Sequence, residues 1–82
     1  MLWYQFDIFE SYLAVGRYQD VISLNTALIK ATGGLEELYY YRGLARLALD
    51  QTEVASNDFR AALDYNPNFR LASEALTALG ES

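Results

Sequence analysis

Residues 35–69 read LEELYYYRGLARLALDQTEVASNDFRAALDYNPNF. Tyr39, Gly43, Leu44, Leu47 and Ala48 recur at steps of three and four, which predicts one helix over 35–49 with those residues on its packed side. Asp50-Gln51 breaks the pattern, and Thr52 is placed to cap the next helix. That second helix is expected over 53–65, with Val54, Ala55, Phe59, Ala62 and Leu63 on one side. Asn66-Pro67 closes it, because a residue before proline is pushed out of helical geometry. Small residues at Gly43, Ala45 and Ala48 let a neighbouring helix come close. A glycine inside a helix costs about 1 kcal/mol against alanine, and close packing is a reason to accept that cost.

Upstream, two more helices are expected. Over 2–14, Trp3, Phe6, Phe9 and Leu13 form one row and Tyr4, Ile8 and Tyr12 a second, so the helix is covered on more than one side. Gly16 stops it. Over 18–30 the inner stripe runs through Val21, Ile22, Leu24, Asn25, Leu28 and Ile29, and Thr32-Gly33-Gly34 is the break. Downstream, 68–79 gives a fifth helix with Leu71, Ala75, Leu76 and Leu79 inward and Gly80 after it. No stretch alternates with period two, so the expected class is all-α with five helices.

The chain has 82 residues, which is one small domain. Its apolar fraction of 52% and aromatic fraction of 15% suffice for a core and leave rings for the surface. There is no cysteine and no histidine. That removes disulfides, thiolate chemistry and the commonest general base and zinc ligand. The remaining carboxylates form no convincing acid pair. Glu36 and Glu37 are neighbours on a helix, point different ways, and suit the first turn electrostatically. Thr32-Gly33-Gly34 is too short for a phosphate loop and has no lysine after it. The expectation is no enzyme, no cofactor and no metal. The net charge of −5 repels phosphate backbones and anionic bilayers, which disfavours nucleic acid and membrane partners. The apolar N-terminus lacks a basic region, and no apolar run nears the ~20 residues of a bilayer span. A cytoplasmic setting fits.

The two halves superpose when Gly16-Arg17-Tyr18 is laid on Asp50-Gln51-Thr52; Leu13 then falls on Leu47, Val21 on Ala55 and Leu28-Ile29 on Ala62-Leu63. With Tyr39, Gly43, Ala55, Phe59, Ala62-Leu63 and Pro67 at the motif positions, the chain resembles the tetratricopeptide repeat (TPR) family, whose helix–turn–helix unit has this same period. The resemblance implies repeats over 2–35 and 36–69, a capping helix over 70–80, and a right-handed stack of antiparallel helix pairs in a single domain. The first copy departs from the motif: Phe9 stands for the small residue, Asn25 for the second-helix aromatic and Gly33 for the closing proline. Arg42 occupies a position where the family usually has leucine. An arginine in a packed stripe needs a partner, and Asp58 on the facing helix is the candidate for a structural pair.

The resemblance further implies ligand binding on the concave face, made by the first helix of each pair. The matching positions are Phe6, Glu10, Leu13, Glu37, Tyr40, Tyr41, Leu44 and Leu47, with Trp3 and Asp7 beside them and Glu74 and Ala78 extending the face. The family's basic clamp for acidic tails is absent, since its positions are Phe6, Glu10, Tyr41, Leu71 and Ala75. The expected function is therefore a non-catalytic scaffold or adaptor that binds an apolar or amphipathic protein segment. The alternative is self-association as a homo-oligomer through an N-terminal edge of Trp3, Tyr4 and Phe9, or one end of a longer repeat array, which the abrupt start at Met1-Leu2 favours.

Overall fold

The computed structural model describes the backbone of residues 4–80 and the side chains of residues 9–80. The described residues form five helices and no strand: α1 Tyr4–Ala14, α2 Tyr18–Thr32, α3 Glu36–Ala48, α4 Thr52–Tyr65 and α5 Arg70–Ala78. Each helix packs on the next, and α1 also touches α3. The α3–α4 pair is antiparallel, because Glu36 at the start of α3 meets Asn66 just past α4 while Arg46 near its end meets Asp58.

The period seen in the sequence is present in the backbone. α2 and α4 begin at equivalent positions, Tyr18 and Thr52, as do α3 and α5 at Glu36 and Arg70. The turns between paired helices have the same geometry. Gly16 has φ +81°, and its equivalent Asp50 has φ +67°. The Arg17 amide donates to the Tyr12 carbonyl at 2.9 Å, and the Gln51 amide donates to the Arg46 carbonyl at 2.8 Å. This is the helix-ending bond that a left-handed residue makes available. Glycine adopts that conformation freely, and aspartate tolerates it better than most residues.

Two clusters make the core. The first joins Phe9, Val21, Ile22, Leu38, Tyr41 and Ala45, and the second joins Ala55, Phe59, Ala62, Ala72 and Leu76. Tyr40 and Leu44 touch both. The tightest join is between α3 and α4, where a Cβ on Gly43 would lie 2.7 Å from Cε1 of the fully buried Phe59. The equivalent positions of the first pair hold the opposite arrangement, with the large Phe9 on α1 and the small, polar Asn25 on α2, both buried. The two departures from the repeat motif thus exchange volume between paired helices. Asn25 donates from Nδ2 to the Val21 carbonyl at 2.8 Å.

Asp58, with a side chain only 4% exposed, gathers two cations. Arg42 Nη2 lies 2.8 Å from its Oδ1, and Arg46 Nη1 lies 2.9 Å from its Oδ2. Arg42 also donates from Nη1 to Thr26 Oγ1 at 3.2 Å, and its guanidinium lies 5.4 Å from the Tyr39 ring centroid. Asp58 thus ties α4 to α3, and Arg42, through Thr26, extends the link to α2.

Several expectations are corrected. Thr52 is the first residue of α4, and Gln51 precedes it with no side-chain cap. Leu24, Val54 and Leu71 are exposed, as is Ala48. Neighbours cover only one side of α2, so Val21, Ile22 and Asn25 fill the buried stripe and Leu24 falls outside it. On α4, Ala55, Phe59 and Ala62 face inward and Val54 lies past their edge. On α5, Ala72 and Leu76 take the inner stripe, which turns Leu71 out. That helix begins at Arg70 because Asn66-Pro67-Asn68 forms a turn, with the Asn68 amide donating to Asn66 Oδ1 at 3.2 Å.

Gly43→Ala should destabilise the fold by about 1–2 kcal/mol, since overpacking against Phe59 outweighs the gain in helix propensity. A urea midpoint equal to or above that of the parent would contradict the close contact. Asp58→Ala should cost about 2–4 kcal/mol, because it strands two partly buried guanidinium groups. Arg46→Ala should cost about 1 kcal/mol, because Asp58 keeps Arg42. Equal losses in the two variants, read from thermal melts, would mean that the carboxylate is not the hub.

Candidate functional site

A mostly apolar groove of about 470 Å³ is lined by Glu10, Leu13 and Ala14 of α1, Tyr40, Tyr41 and Leu44 of α3, and Leu71 of α5. Each of these residues comes from the first helix of a pair or from α5, the helix equivalent to them in the repeat. Five of the eight expected face residues meet there: Glu10, Leu13, Tyr40, Tyr41 and Leu44. Glu37 is half-buried and lies outside the lining, and Leu47 is half-buried against the second core cluster. The side chains of Phe6, Asp7 and Tyr4, and all of Trp3, lie outside the described residues.

Tyr41 is a core residue more than a contact surface. It is 9% exposed, and its ring lies 5.5 Å from that of Phe9. It lines the groove while mostly buried, and its hydroxyl donates to Glu10 Oε2 at 3.1 Å. The expectation for Phe9 is corrected. At 2% exposed it fills the space between α1 and its neighbours, so it presents nothing at an N-terminal edge.

Tyr40 forms the floor. Its ring packs 5.9 Å from Phe59, 5.4 Å from Tyr41 and 5.5 Å from Phe69. Contacts with three aromatic rings hold it in place, two of them from helices and one from Phe69 in the α4–α5 connection. Leu71 forms one wall and is 49% exposed. It occupies the position in α5 equivalent to Glu37 in α3 and matches one of the TPR family's clamp positions, although the apolar spacing also suggests that it faces inward.

The electrostatics are one-sided. Burial raises the Tyr41 phenol above its ordinary value, and the hydrogen bond to Glu10 raises it further, with charge from Glu10 and Glu37 adding to this. Burial also raises Tyr40, followed by charge from Glu74 and then Glu10. The acidic groups thus project negative potential onto the rings.

Because the folded pKa of Tyr41 lies above the ordinary 10.0, the stability tied to its neutral phenol is complete below about pH 10 and is lost as pH rises through the folded value. Urea midpoints measured from pH 9 to 12 should fall with pH, and Tyr41→Phe should flatten that decline. The same variant should cost about 1–2 kcal/mol at pH 7 through its lost bond to a carboxylate. An unchanged slope would remove Tyr41 as the source.

Compared with family models, with curated proteins and with solved structures, the chain matches none of them.

Proposed function

We propose that this chain is a non-catalytic, TPR-like interaction module that holds an extended or helical protein segment in the groove between α1, α3 and α5. The observation that carries this reading is the groove itself: an apolar cleft with a rigid aromatic floor, lined from α1, α3 and α5. Peptide recognition by a groove uses such a floor for apolar anchors and peripheral polar groups for orientation. The repeated turn geometry at Gly16 and Asp50 supports the stacked-repeat reading. The composition supports a protein partner: negative charge disfavours polyanions, and without His or Cys the chain offers only carboxylates, hydroxyls and amines for chemistry. The lack of cysteine agrees with a reducing, cytoplasmic setting.

Leu71 is the residue to change, because it lines the groove yet is half exposed, whereas Tyr40 also supports the core. Peptides enriched from a displayed random library should bind the parent chain and lose about tenfold in affinity to Leu71→Ser at an unchanged melting temperature. Equal affinity for Leu71→Ser and parent would move the binding surface away from this groove.

A further inference from the structure

Resting on the reading of the groove as a peptide site, we propose that its occupant carries a basic side chain, an arginine or lysine whose aliphatic stem lies on Tyr40, Leu44 and Leu71 and whose cation meets the Glu10 carboxylate. Among the described residues of the lining, Glu10 is the only ionised one, and none is an arginine or lysine. Its carboxylate is exposed and half-engaged: Oε2 accepts from Tyr41, and Oε1 takes part in no hydrogen bond among the described residues. The Tyr41 bond holds the carboxylate against the apolar floor. Glu10 therefore offers a fixed oxygen at the edge of a surface that a long side chain could cover.

Three of the chain's cations are already paired within it. Arg42 and Arg46 are committed to Asp58, and Arg17 pairs with Asp20 at 2.6 Å. After burial, charge from Glu74 and Glu10 raises the Tyr40 phenol, and Glu10 and Glu37 raise that of Tyr41, so both rings lie near carboxylates. An anionic segment would be repelled there, and a purely apolar one would leave Glu10 facing it unpaired, which costs affinity. A basic side chain satisfies both surfaces, since its stem buries on apolar area while its head stays polar. The molecule already uses this arrangement twice: Arg42 lies over the Tyr39 ring while its guanidinium binds the Asp58 carboxylate, and Arg17 lies over the Tyr12 ring while it pairs with Asp20. The groove presents a tyrosine ring and a carboxylate with the arginine left for the partner to supply.

The test uses an amphipathic peptide of leucine and arginine and its counterpart with citrulline at every arginine, titrated into the parent chain and three variants. Glu10→Gln keeps an acceptor for Tyr41 and removes the charge. Glu53→Gln removes an exposed charge at the start of α4, away from the groove. Leu71→Ser reports on the groove. The expected result is that the arginine peptide binds the parent and is weakened about fivefold by Glu10→Gln, and is indifferent to Glu53→Gln. The citrulline peptide should bind more weakly and ignore both charge changes. Equal binding of the two peptides, or equal effects of Glu10→Gln and Glu53→Gln, would overturn the basic-anchor inference. If Leu71→Ser still abolished binding in that case, the groove would stand without its charge preference. An arginine peptide that fails to bind, or that binds Leu71→Ser as tightly as the parent, would overturn the inference and the groove together.

Discussion

The separation of α3 and α4 is set where Phe59 lies against the bare Cα of Gly43. A helix crossing as close as this has no room for a methyl group, so the two axes are held at one distance and in one register. Other contacts depend on that register. Tyr39 reaches Tyr65, with the rings stacked at 5.5 Å, and Arg42 and Arg46 both come within reach of Asp58. Tyr65 then donates to the Gly33 carbonyl, which fastens the end of α4 to the loop between the first and second pairs. Moving α4 outward by a methyl's width would loosen all of these together, because interiors are close-packed and transmit strain.

The same constraint builds the groove. Phe59, seated against Gly43, supports the ring of Tyr40, and Phe69 at the start of α5 closes on its edge. Tyr40 is thus shared between the two core clusters and the floor. Core and site are one structure here, which explains why the floor can be rigid in so small a chain. Its walls are different. Leu71 contributes to the lining while remaining exposed, so its chemistry can vary without disturbing the packing, whereas Glu10 is exposed but tied to Tyr41.

The arginine–aspartate cluster answers a different need. Asp58 is buried, and its charge would be costly alone. Two guanidinium groups bind it, one of them lying over the Tyr39 ring, and Thr26 takes a further arginine donor. The cluster thereby links α2 of the first pair to both helices of the second. Together with the bonds of Tyr41 to Glu10 and of Tyr65 to Gly33, this directional polar link specifies how the halves are registered, which non-directional burial alone does not.

Helix number, class and most boundaries were legible in the sequence, because apolar spacing and chain-breaking residues act locally. Gly16 and Pro67 report on backbone geometry within a few residues of themselves. The internal repetition was legible too, and the small residues at Gly43 and Ala45 announced a close crossing. What escaped the sequence was which side of each helix its neighbours would cover. Leu24, Val54 and Leu71 continue apolar stripes and yet face outward, because α2, α4 and α5 are each covered over a narrower arc than their stripes allow. By sequence Tyr41 falls at a ligand-face position and Phe9 at an N-terminal interface edge, and the packing placed both in the core, where Phe9 on α1 offsets the small Asn25 on α2. Arg42 in an apolar stripe made the need for a carboxylate readable, but the second arginine and the threonine joined it only through three helices meeting. Local pattern decides what each segment becomes. Facing surfaces, and therefore the groove with the Glu10 carboxylate at its edge, depend on contacts such as that between Glu10 and Tyr41, far apart in the chain, which only folding brings together.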